Sequence, residues 1–175
     1  LSLLERAKER LEEPIKEDFI SKKVQDAVLE AFLAKKLAED GLIRNACGKA
    51  FQAWKDLISA LLYLKKEEIL KMLNEDQRKW FLEKGIYAPS SKLRILSGLL
   101  EDIGVEGIRY VTEMALYLHT YQYQGPDPDG LWGGPTNKEE ALDSLKRLLR
   151  KFKEYVEKYF ESYLDEELKE VLKAL

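Results

Sequence analysis

Apolar residues recur along this chain at three- and four-residue intervals, the spacing that gathers them on one side of an α-helix. From about residue 16 to residue 40, Phe19, Val24, Ala27, Val28, Ala31, Leu33, Ala34, Leu37 and Ala38 form a broad stripe of this kind, and Gly41 stands where a left-handed C-terminal cap belongs. A second long helix is predicted over about 42–64, and so abrupt a junction implies two antiparallel neighbours. Shorter patterns predict a helix over residues 1–12, interrupted by Pro14, and two short helices within 65–84. Asn74 and Gln77 form a capping box inside the latter stretch, with Gly85 as its stop. Further helices are predicted over about 92–102, after Pro89, Ser90 and Ser91, and over about 106–123. A helix over about 136–163 opens with Thr136 and Glu139 as a capping box, and Asp165 opens the last one. Runs of alternating β-branched residues are absent. The fold class read from this pattern is all-α: an antiparallel helical bundle with short extra helices and one Pro/Gly-rich loop over residues 125–135. We expect one domain over residues 1–175, a core bundle at about 16–123 with the C-terminal helices of 136–175 packed on it.

The segment 42–61 separates most cleanly. Rotated by about 100° per residue, it places Ile43, Ala46, Cys47, Ala50, Phe51, Ala53, Trp54, Leu57, Ile58, Ala60 and Leu61 on one half. Arg44, Asn45, Gly48, Lys49, Gln52, Lys55, Asp56 and Ser59 fall on the other. The wide apolar face suits a central helix with several neighbours. Gly48 sits in the middle of the polar half, where glycine costs up to about 1 kcal/mol against alanine. It marks either close approach of a partner helix or ligand, or ordinary helix packing that tolerates the glycine at modest cost.

Composition narrows the function classes. Hydrophobic residues are 45% of the chain and charged residues 35%, so a core and a solvated exterior are both available and disorder is disfavoured. No apolar run approaches the ~18–20 residues of a membrane helix, and the first ten residues lack the apolar centre of a signal peptide, so no membrane partner is expected. One cysteine allows no internal disulfide, which fits a cytoplasmic location. With one histidine and one cysteine the chain cannot build a His- or Cys-rich zinc site, and we expect neither metal nor cofactor. A net charge of −3 gives no global attraction for nucleic acid, although a local basic patch is compatible with it. Abundant Glu, Lys and Arg, with only Asn45, Asn74 and Asn137 as asparagines, match the usage of thermophile proteins.

Two segments carry a family resemblance. Gly41-Leu42-Ile43-Arg44-Asn45-Ala46-Cys47-Gly48-Lys49-Ala50-Phe51-Gln52-Ala53-Trp54-Lys55 resembles a signature of the archaeal PaREP family, and Leu118-His119-Thr120-Tyr121-Gln122-Tyr123-Gln124-Gly125-Pro126-Asp127-Pro128 resembles a second. The resemblance implies a bundle similar to HEPN domains, many of which are homodimers and some of which are metal-independent ribonucleases. Active HEPN ribonucleases place a histidine about four to six residues after an arginine, a base for the ribose 2′-OH beside a cation for the phosphorane charge. Here the only histidine is His119, and nine residues separate it from Arg109, so that motif is missing.

What remains is a set of candidates with two readings each. His119 lies at the margin of the stripe formed by Ile108, Val111, Met114, Ala115 and Leu118, either as a boundary residue or as a base working with Arg44 or Lys49 from the other helix. Tyr110, Tyr117 and Tyr121 line the opposite margin, for packing or for stacking on bases. Asp127, Asp129 and Gly130 begin like a calcium loop but lack the later acids. The loop either fixes a wide turn with Trp132 tucked onto the bundle, or joins Tyr121, Tyr123 and Trp132 with the aspartates Asp127 and Asp129 in recognition. Lys146, Arg147, Arg150, Lys151 and Lys153 are the densest basic cluster, offset by Glu154, Glu157 and Glu161. We expect a non-enzymatic binding or interaction module using Arg44, Asn45, Lys49, Gln52, Lys55, His119, Tyr121, Tyr123 and Asp127. Its partners would be RNA, a nucleotide, a protein or a second copy. The alternatives are a rearranged ribonuclease or toxin-type HEPN protein, and a nucleotide-binding module.

Overall fold

In the computed structural model, residues 1–14 and 18–175 are described. The helices run α1 (Leu3–Glu12), α2 (Phe19–Glu39), α3 (Ile43–Leu64), α4 (Lys66–Leu70), α5 (Glu75–Glu83), α6 (Leu93–Asp102), α7 (Ile108–Gln124), α8 (Lys138–Phe160) and α9 (Glu166–Lys173). Short 3₁₀ turns occupy Gly85–Tyr87, Ser90–Lys92 and Glu161–Tyr163. No strand occurs among the described residues. The start expected for α2 near residue 16 lies outside them; Asp18 caps the helix by accepting from the Ser21 N–H.

Local chemistry explains the ends. Leu42 N–H reaches back to Leu37 C=O and Gly41 adopts φ +80°, the hydrogen-bonded reversal that ends α2 and starts α3 within three residues. The pair therefore lies antiparallel, with the most extensive mutual packing in the molecule. The Asn74–Gln77 box at α5 is present with both arms. At α8 the cap is one residue later than expected: Asn137, not Thr136, accepts from the helix, at Glu140 N–H. Two consecutive acids make either register possible. Glu140 in turn accepts from the Thr136 N–H, one residue before the cap. The end expected at residue 163 is likewise a helix to Phe160 followed by a 3₁₀ turn.

α3 is the axis of the assembly, touching α2, α6, α7 and α8. Its apolar half is buried throughout, and Trp54, Leu57, Ile58, Leu61 and Leu62 have no exposed surface. The Trp54 indole N–H donates to Thr112 Oγ1 on α7 at 3.0 Å, so the largest core side chain is also fixed by a polar bond. α8 lays Leu145, Leu148, Phe152, Val156 and Phe160 onto this core. Arg10 ties α1 to α2 through Gln25 and to the α9 region through Asp165 and Glu167. Two expectations for the polar half of α3 are corrected here. Asp56 and Ser59 are buried, because α2 covers the first and the 3₁₀ turn at residues 85–87 covers the second, where Ser59 Oγ donates to Ile86 C=O.

Candidate functional site

The seam between α3 and α7 begins at Gly48. A Cβ there would lie 2.6 Å from Gln122 Nε2, so glycine is what lets the Gln122 carboxamide rest against the backbone of α3. Of the two readings for this glycine, close approach of a partner helix is the one observed. Gln122 Oε1 then sits 3.2 Å from His119 Nδ1. With that oxygen accepting, Nδ1 carries the proton and Nε2 keeps its lone pair.

The imidazole is held on three sides. It stacks on Phe51 of α3, with ring centres 3.9 Å apart and planes 24° off parallel, and meets the edge of Tyr123 at 4.9 Å. Burial pushes its pKa down, the Gln122 bond opposes this, and the charge of Lys55 adds to the depression. His119 is therefore neutral at pH 7.

Arg44 is also engaged. Its Nε and Nη2 donate to Gln122 C=O at 3.2 and 3.1 Å, and Nη2 reaches Tyr123 C=O at 2.8 Å. These carbonyls belong to the last turn of α7 and have no partner within the helix, so the guanidinium serves as its C-terminal cap. The chain then turns away at Gly125, φ +71°, beneath the same guanidinium.

Around this knot the seam is open. Asn45, Lys49 and Gln52 are exposed on α3, Lys55 is half-buried, and Tyr123 is 66% exposed at the end of α7. The structure thus brings together Arg44, Lys55, His119 and Tyr123 along one ledge, while Lys49 and Gln52 turn toward Glu30 and Asp56 on the α2 side of α3. Tyr121 points away from it into the core, 3% exposed, and Tyr110 stands out on the surface.

Asp127 is part of the loop's own framework. Its carboxylate accepts from the backbone N–H groups of Leu131, Trp132, Gly133 and Gly134, at 2.8 to 3.4 Å, and its own N–H donates to Pro135 C=O. Burial alone would raise its pKa; the four donors outweigh that and hold the carboxyl below the ordinary range. Its oxygens face inward, so the expected contact of Asp127 with a ligand is not available in this conformation. Trp132 is not tucked onto the bundle: it is 58% exposed.

Two features escaped the sequence reading. Gln122 is the hinge of the seam, yet nothing in its spacing marks it. Beside the ledge, the half-buried Glu30 of α2 interacts with the buried Asp56 of α3, with Asp26 near them and Lys23 Nζ 3.4 Å from Asp56 Oδ1. Burial first, then the charge of Asp56, pushes Glu30 up to about 8. Glu30 Oε2 is buried with no hydrogen-bond partner, which disfavours the ionised carboxylate. Cys47 is buried in the core, with its thiol pushed up to about 12 by that burial. Among the described residues no three acidic, histidine or cysteine side chains are arranged to hold a metal. No helix among them is long and apolar enough to cross a membrane.

The class these observations define is an all-α protein built on two adjoining inner helices, with a polar and aromatic ledge along their seam. The chain belongs to the archaeal PaREP1/PaREP8 family, whose model matches residues 22–146, from α2 into α8 and including the whole ledge. Comparisons with curated proteins and with solved structures gave no match.

Proposed function

We propose that this chain is a non-catalytic binding module, HEPN-like in its bundle and homodimeric, that uses the α3–α7 ledge to hold single-stranded RNA. One observation carries the reading: Arg44, the cation that catalysis would need beside His119, is already engaged. Arg44 caps α7, and His119 is clasped by Phe51, Gln122 and Tyr123. What stays available is a set of cations and amides on α3, Asn45, Lys49, Gln52 and Lys55, with an exposed ring, Tyr123, at the end of α7. Cations that follow a phosphate backbone next to an aromatic face are the elements of sequence-tolerant single-strand binding.

A second reading, a metal-independent ribonuclease, is favoured by one specific feature. The neutral imidazole with a free Nε2 is the form a general base requires, and Lys55 supplies a nearby cation.

Labelled single-stranded RNA, followed by anisotropy and by gel, separates the two. The binding reading predicts saturable, salt-sensitive binding that the Lys49→Glu/Lys55→Glu variant weakens by about tenfold or more, with the RNA left intact. Cleavage by the unaltered chain that His119→Ala or Arg44→Ala abolishes would establish the nuclease instead. Absence of RNA binding would overturn the proposal. In the same samples, sedimentation at the mass of one chain would contradict the homodimer.

A further inference from the structure

Away from the ledge, a cleft of about 550 Å³ opens between α2 and α8. Its volume lies in the range of small-molecule sites, roughly 300–1,000 Å³. Leu142, Leu145, Leu149 and Leu175 make its floor. Its rim carries Lys35, Lys146, Arg150 and Lys153 against a single acidic side chain, Glu39. The leucines and the cations of α8 both recur at three- and four-residue intervals, so an apolar stripe and a basic stripe run side by side along the helix.

The charges of this rim are uncompensated. Glu39 is paired with Lys36, and the nearby acids of α8 serve the next stripe over, Asp143 with Arg147 and Glu154 with Lys151. Lys35 Nζ donates to the Ala174 carbonyl, a neutral acceptor. Among the described residues, Lys146, Arg150 and Lys153 have no anionic partner. Four cations so placed repel one another, in a chain whose net charge is −3, and an anion relieves that repulsion. The lining contains no aromatic ring on which a base would stack. The leucine floor instead offers a surface that only an aliphatic group uses fully.

We propose that this cleft binds one molecule of a soluble, single-chain anionic amphiphile. The aliphatic tail lies on the leucines and the carboxylate or phosphate head faces Lys146, Arg150 and Lys153. Calorimetry of the full chain with decanoate, dodecanoate and tetradecanoate, each below its micelle concentration, tests this. The expected result is 1:1 saturation with affinity rising about two- to fourfold per added methylene. Dodecyltrimethylammonium, with the same tail and the opposite charge, should not bind. Lys146→Glu/Arg150→Glu should weaken dodecanoate about tenfold, and Leu142→Trp should abolish binding by filling the cleft; unchanged melting curves verify that both variants fold.

Absence of saturable binding, equal binding of the cationic amphiphile, or indifference to the charge reversal would each overturn the proposal. So would a dimer of the ligand-free chain that Leu142→Trp dissociates, because a second copy would then occupy the cleft. Binding of the chain to anionic phospholipid vesicles without saturable binding of monomeric dodecanoate would also overturn it, in favour of a membrane surface.

Discussion

Trp54 and Thr112 sit at the centre of the molecule, where neither has exposed surface, and their bond joins α3 to α7. Removing the hydroxyl while keeping the shape leaves the indole N–H with nothing to donate to. Thr112→Val should therefore destabilise the fold by about 1–3 kcal/mol, read as a lower denaturant midpoint at unchanged slope. The carboxyl pair beside the ledge makes a second prediction at this scale. Glu30 is raised by burial and by Asp56 from 4.5 to about 8, so the folded chain holds a proton that the unfolded chain releases above 4.5. Stability is thus fully present below pH 4.5 with respect to this group, and is lost as pH rises toward 8. Denaturant titrations between pH 5 and 8 should show that decline. In Glu30→Gln the decline should flatten, with a gain of order 1 kcal/mol at pH 8. A decline as steep as that of the unaltered chain would show that Glu30 is not the group responsible.

Helices and turns differ in how far their role can be read from composition. α3 could be placed because its apolar and polar residues divide cleanly, and that division specifies the buried half directly. Its polar half could not be resolved further from one helix alone. Whether Asp56 meets water or α2, and whether Arg44 is free or caps α7, depends on which neighbour arrives at each angle. Gly48 was visible as an anomaly, but its cause, the Gln122 side chain, lies 74 residues away along the chain (122 − 48). The α8 cap slipped by one position because Thr136-Asn137 and Glu139-Glu140 satisfy the same rule twice. The loop after α7 is the element whose conformation depends most on one side chain. Asp127 gathers four backbone N–H groups that have no helix or strand to satisfy them. Asp127→Ala should leave the helical content intact while opening residues 126–135 to protease; Asp127→Asn, which keeps one acceptor, should be intermediate. Equal protease resistance in all three chains would contradict that role. Since the folded carboxyl lies below its ordinary pKa, the loop should also loosen as the pH falls below about 3.8, where protonation removes the acceptor.

For the whole molecule, the same packing that builds the core also builds the ledge: Phe51 turns from the α3 core to meet His119, and α7 is capped by a residue of α3. The ledge and the amphiphile cleft share no residue, the first lying on α3 and α7 and the second on α2 and α8. Occupancy of one can therefore be measured without blocking the other. His119, being the only histidine, reports on the ledge without ambiguity. The most direct measurement is an NMR titration of its imidazole in the full chain, with and without single-stranded RNA. The expected result is an apparent pKa below the ordinary 6.5, set by burial and by the charge of Lys55, with ring resonances that shift on adding RNA which stays uncut. A pKa at or above 6.5, with resonances that ignore RNA, would contradict both the clasp around the imidazole and the role assigned to the seam.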